Sequence, residues 1–365
     1  MVAFGVILGL AALFGPLRKR AWWVGGPIAL AAVGALIGLD LWVGHLAALP
    51  WEQAGTVLAW LLMGHCARAA GGPVLPRSWG LVAALCGWMM GDLGATALMV
   101  GLVADRGTAI RCALVASAAA MISPIGSGVS LVVIDPALFG PLPVLLALVA
   151  WPVGGIPAGE SSAAGASEQA PGRSGRVSVS LLLGATAAAA AWFPEYRLVA
   201  LAVSASVLAF VGRDNLAPER FPAGDGVMVV AMALVAWGLR HSGLSREVLL
   251  GFELLREGLP AATNGILALL GVGLGMLLGE SAAAPLLQSI LGASALPPDP
   301  QVLGPMAAGV AIGGLGPLWI IWRHHGESEK GARPAVPFWR QAMRPFGMQL
   351  IIVLAWALLL EDLSI

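Results

Sequence analysis

Asp92 and Glu280 are the acids that lie farthest inside the long apolar stretches of this chain, and glycines surround both: Met90-Gly91-Asp92-Leu93-Gly94 and Gly279-Glu280-Ser281. An ionised carboxylate in an apolar layer costs about 2.5–3.5 kcal/mol on insertion scales, so one kept there points to a held cation or an exchanged proton. Thr96 follows Asp92 by one helical turn, and Ser281 follows Glu280 directly, so each acid has a hydroxyl within reach. From Asp92 to Gly126 is 34 residues, and from Glu280 to Gly314 is the same 34. Each of those glycines opens a Gly-x-Gly, as Ser123-Pro124-Ile125-Gly126-Ser127-Gly128 and as Gly313-Gly314-Leu315-Gly316-Pro317. Proline and glycine release backbone groups from a helix, which offers carbonyls to a cation or amides to an anion. The candidate binding set is therefore Asp92, Thr96, Ser123, Gly126, Ser127, Gly128, Glu280, Ser281, Gly314 and Gly316. A transported monovalent cation at Asp92 and Glu280 is the only metal it implies. The plainer alternatives are that each acid caps the half-helix after it and that the serines bond back to their own backbone. A capping acid beside a cavity still exchanges a proton, so these roles are compatible.

The elements that carry these residues follow from hydropathy. Hydrophobic residues make up 58% of the 365 and charged ones 11%, with mean hydropathy +0.86. A water-facing surface needs about 25% charge, so the expectation is an all-α polytopic membrane protein. Spans need about 20 apolar residues. Apolar runs at 2–17, 21–39, 51–67, 79–104, 109–134, 139–157, 178–193, 197–212, 226–239, 262–292, 302–322 and 346–361 give six segments on each side of one polar, Gly/Ser-rich stretch. The predicted organisation is a first repeat over 1–157, a flexible cytoplasmic linker over 158–177 and a second repeat over 178–365. In each repeat the fourth segment (79–104, 262–292) is broken at its acid into arms too short to cross, which predicts a re-entrant hairpin. The fifth (109–134, 302–322) is broken at its Gly-x-Gly. The architecture expected is thus two inverted repeats with about ten transmembrane helices and two re-entrant hairpins.

Charge placement favours this topology. With re-entrant fourth segments, sixteen of the twenty basic residues fall on the cytoplasmic side, leaving Arg197, Arg240, Arg246 and Arg256 outside. Full crossings would give fourteen, so the positive-inside rule prefers hairpins. The first segment precedes Arg18-Lys19-Arg20 without charge before it, so it is read as a retained helix rather than a cleaved signal. Both termini are then outside, in a multi-pass protein of a bacterial-type inner (plasma) membrane.

Other chemistry finds little support. Net charge is zero, which gives no reason to expect a nucleic-acid partner. Cys66, Cys86 and Cys112 have no CxxC spacing, and His45, His65, His241, His324 and His325 sit near predicted membrane boundaries. No HExxH or Walker loop occurs, and Ser127 has no histidine at a useful spacing, so an intramembrane enzyme ranks below a transporter. No cofactor is expected.

The layout resembles the ion transporter superfamily, which includes D-type sodium/proton antiporters, arsenite permeases and divalent-anion/sodium symporters. The residues that carry the likeness are Gly91-Asp92-Leu93-Gly94-Ala95-Thr96-Ala97 with Ser123-Pro124-Ile125-Gly126-Ser127. Their counterparts in the second half are Gly279-Glu280-Ser281-Ala282-Ala283-Ala284-Pro285 with Gly313-Gly314-Leu315-Gly316-Pro317. Relatives place Asn or Ser/Thr-Asn at the hairpin tips, whereas this chain has acids. The resemblance implies a homodimer with a scaffold and a moving transport domain, working as an elevator. Its activity would be secondary active transport, a sodium/proton-type cation/proton antiport. The alternative is proton- or sodium-coupled permeation of arsenite or a carboxylate.

Overall fold

The computed structural model describes residues 2–14, 22–38, 51–72, 79–103, 106–122, 141–150, 173–216, 223–242, 262–278, 300–312, 320–322 and 338–362, with isolated residues at 247–259 and at 318. Among these the chain is all-helical, with no strand. Before residue 158 come α1 (Val2–Phe14), α2 (Trp22–Ile37), α3 (Trp51–Ala69), α4 (Trp79–Leu102), α5 (Arg106–Ala120) and α6 (Pro141–Ala150). After it come α7 (Arg173–Trp192), α8 (Arg197–Val211), α9 (Ala223–His241), α10 (Thr263–Leu278), α11 (Pro300–Ile312) and α12 (Phe338–Asp362). Short 3-10 turns at Pro194–Tyr196 and Arg213–Asn215 flank α8.

Two helices begin earlier than hydropathy suggests. α7 starts at Arg173, so residues 173–177, expected in the linker, form its first turns; Ser180 Oγ donates to the Arg176 carbonyl at 3.0 Å. α12 starts at Phe338 and passes through Arg340, Arg344 and Pro345 before its apolar run. Hydropathy marks where a helix could enter lipid, not where its hydrogen bonding starts. Gly175–Trp192 and Arg340–Leu360 are long and apolar enough to cross a membrane by length and composition, and several of the other helices are apolar but shorter.

α4 is two helical arms rather than one rod. Cys112 Sγ, in the second turn of α5, approaches the Trp79 carbonyl at 4.0 Å, and Gly87 lies against the Ala116 backbone. The partner numbers rise together, so residues 79–90 run parallel to α5. Yet α5 follows α4 almost at once, and a straight α4 would place Trp79 about 34 Å from Leu102. The chain therefore reverses at Gly91, whose φ of 75° and ψ of 176° break the helix. That combination is open essentially to glycine alone.

α10 and α11 repeat half of this arrangement. Gly271 meets the Met306 backbone, Gly275 meets Val310 and Gly309 meets Ala268, so these helices also run parallel in backbone contact. Small residues let helix backbones approach this closely.

Packing is reciprocal across the polar stretch. α2 lies along α9, and α8 lies along α3. α1 packs on α2 as α7 does on α8, and α5 on α6 as α11 does on α12. Like elements also meet directly: α3 with α9, α5 with α11, and α6 with α12. α5 sits at the centre, with every residue from Thr108 to Ala120 buried.

Candidate functional site

The reversal of α4 positions Asp92. It opens the second arm immediately after Gly91 and is only 6% exposed. Its Oδ1 accepts a hydrogen bond from the Leu93 N–H at 2.7 Å, the pattern of a carboxylate at a helix start. Its Oδ2 is buried and meets no hydrogen-bond partner. Thr96 is fully buried, and its Oγ1 has no partner either. Residues four apart share one face of a helix, so the two unpartnered oxygens lie on the same side of the arm.

α3 braces this arm. Gly94 sits so close to Trp60 that an added Cβ would fall 2.8 Å from the Trp60 Cβ. Trp60, Met90, Leu93 and Leu98 are all buried, which fixes the arm around its two polar groups. At the reversal itself there is room, since a Cβ at Gly91 would meet nothing within 4 Å.

Helix ends converge at this level. Gly91 comes four residues after Gly87 and Ala120 four after Ala116, so the turn of α4 is level with the end of α5. From Gly275 to Leu278 is three residues and from Val310 to Ile312 two, so the last described turns of α10 and α11 lie at nearly the same level. Ser117 joins the two groups, its Oγ donating to the Ala311 carbonyl at 2.9 Å in a buried contact. Ala118 and Met121 pack there with Ala307, Ala308, Ala311 and Ile312.

Of the residues singled out from the sequence, Asp92 and Thr96 are brought together on one arm. Ser123, Gly126, Ser127, Gly128, Glu280, Ser281, Gly314 and Gly316 lie outside the described residues. Ser117 was missed. A single serine within Ala116-Ser117-Ala118 carries no pattern that marks it, and only the fold reveals the carbonyl it meets. Among the described residues no group of three His, Cys, Asp or Glu could hold a metal ion.

No protein-family model matches the chain, and no curated protein matches it.

Proposed function

We propose that this protein is a secondary active transporter of the inner membrane, a cation/proton antiporter of the sodium/proton type. The observation that carries the reading is the pair of buried, unpartnered oxygens of Asp92 and Thr96 at a reversal of the chain. A buried polar atom without a partner costs about 1–3 kcal/mol, and a bound ion would remove that penalty. A carboxyl group that alternates between a proton and a monovalent cation changes the buried charge little, which suits exchange of one for the other.

Several features support the membrane setting and the repeat. Apolar side chains such as Leu181, Val199 and Phe210 are 69%, 60% and 70% exposed, as a lipid-facing belt would be. The arms of α4, about 18 and 16 Å long, are each too short for the roughly 30 Å hydrocarbon core. A re-entrant hairpin with Asp92 near mid-depth accommodates them. The six-and-six division, the reciprocal packing and the parallel pairs in both halves fit two inverted repeats. On this reading Glu280 and the two Gly-x-Gly breaks complete the site, and the protein works as an elevator-like homodimer.

The test is proton movement in proteoliposomes, followed with a pH-sensitive dye while sodium, lithium, potassium, arsenite and succinate are supplied in turn. Sodium or lithium should collapse an imposed pH gradient, and Asp92→Asn should abolish that response while the variant remains folded and monodisperse. Unchanged coupling in Asp92→Asn removes the site. A response to arsenite or succinate alone moves the reading to an anion permease.

A further inference from the structure

We propose that Ser117 is a positioning residue that holds α11 in register with α5 and, through α5, sets the position of the α4 turn that carries Asp92. The inference deepens the transport reading and rests on it for its functional consequence. The geometry stands on its own.

Ser117 lies on α5 next to Ala116, whose backbone meets Gly87 on the first arm of α4, four residues before Gly91. The Ser117 hydroxyl donates to the Ala311 carbonyl on α11 at 2.9 Å, and Ser117 itself is only 5% exposed. This hydroxyl is not bonded back to its own helix, the usual fate of a serine in a membrane helix. It is spent on another helix 194 positions away in sequence. Met121, one turn beyond Ser117, packs with Ile312, one residue beyond Ala311, in the same cluster, so the contact is a seam between two helix ends. The same turn of α5 thus holds both α11 and, through Ala116 and Gly87, the turn of α4 that presents the free Oδ2 of Asp92. Without the Ser117 bond, the last turn of α11 loses its tie to α5, and α5 loses a constraint on where it holds the α4 turn that carries Asp92.

A polar contact that only held the bundle together would affect stability and the amount of active protein, and so the maximal rate. A contact that sets ligand geometry affects apparent affinity. The full chain in proteoliposomes should therefore show Ser117→Ala raising the KM for sodium on the order of fivefold with nearly unchanged maximal rate. Ser117→Thr, which keeps the hydroxyl, should restore the wild-type KM. A wild-type KM in Ser117→Ala overturns the proposal, as does a Thr variant impaired as much as the Ala variant. Hydrogen exchange in lipid nanodiscs tests the seam independently of transport. Peptides covering 306–312 should exchange faster in Ser117→Ala than in wild type or Ser117→Thr, and equal rates overturn the latch. If wild-type protein moves no ion at all, the transport reading fails, while the exchange result still decides whether Ser117 holds α11.

Discussion

Gly87 and Gly275 each stand four residues before the glycine that adjoins an acid, Gly91 and Gly279, and each is pressed against the backbone of the fifth helix in its half of the chain. Gly87 meets Ala116 on α5, and Gly275 meets Val310 on α11. The shared placement means that the first arm of α4 and α10 are set against their neighbours by the same device, a helix face with no side chain at the crossing.

This device predicts a contrast within one helix. Gly275→Ala puts a methyl group into the Val310 backbone, which cannot swing aside as a side chain can, so the cost should be about 1–3 kcal/mol. Gly273→Ala, two residues earlier, meets nothing within 4 Å and should be neutral or stabilising by up to about 1 kcal/mol, because alanine favours helix over glycine. Thermal unfolding in detergent, followed by loss of monodisperse protein, separates the two. Equal melting temperatures would mean that α10 and α11 are not in backbone contact.

Gly91 calls for a different pair of variants. Space is open around it, so a side chain there is penalised only through the backbone. Its φ of 75° with ψ of 176° lies away from the left-handed helical region that asparagine tolerates. Gly91→Asn should therefore destabilise as much as Gly91→Ala, each by about 1–3 kcal/mol. An asparagine variant as stable as wild type would show that the reversal uses a different backbone geometry. Both measurements are melting temperatures on purified protein.

The α7–α8 pair carries a buried hydroxyl contact, Thr186 Oγ1 to Ser204 Oγ at 2.6 Å. Thr186 also donates to the Leu182 carbonyl at 2.7 Å, which uses its only proton and makes Ser204 the donor between helices. Thr186→Val and Ser204→Ala should each destabilise, and on the proposed membrane setting a double-mutant cycle should give a coupling of about 0.6 kcal/mol. Fully additive losses would place the two hydroxyls out of contact.

The parts of this architecture that could be read from the residues are those with a local cause. Gly91 beside Asp92 in an apolar run marks a break because a flexible glycine and a charged side chain both oppose a continuous apolar helix. Thr96 stands out because helical spacing places it above Asp92. What could not be read depends on tertiary partners or on charge that hides a helix. Arg173-Ser174-Gly175-Arg176 looks like linker, yet it winds into α7. The first turns of α12 are masked by Arg340 and Arg344. Nothing local tells that α2 lies along α9, that α3 lies along α8, or that Ser117 reaches Ala311. Such pairings come from matching distant surfaces.

The last prediction sets stability against function at Thr96. Its hydroxyl is fully buried with no partner, one turn from the equally unpartnered Asp92 Oδ2. A valine has nearly the same shape and no polar atom, so Thr96→Val removes the cost of an unsatisfied group without opening a cavity. In ion-free detergent the variant should be more stable than wild type by about 1 kcal/mol. If the hydroxyl serves as a ligand, sodium should raise the melting temperature of wild type, by mass action on the folded state, and raise that of Thr96→Val less. Asp92→Asn should lose the sodium response altogether. The decisive comparison is the same three proteins melted with and without sodium at constant ionic strength. A Thr96→Val that is less stable than wild type without ions would mean that the hydroxyl has an internal partner. A sodium response of the same size in all three would mean that the cation sits elsewhere.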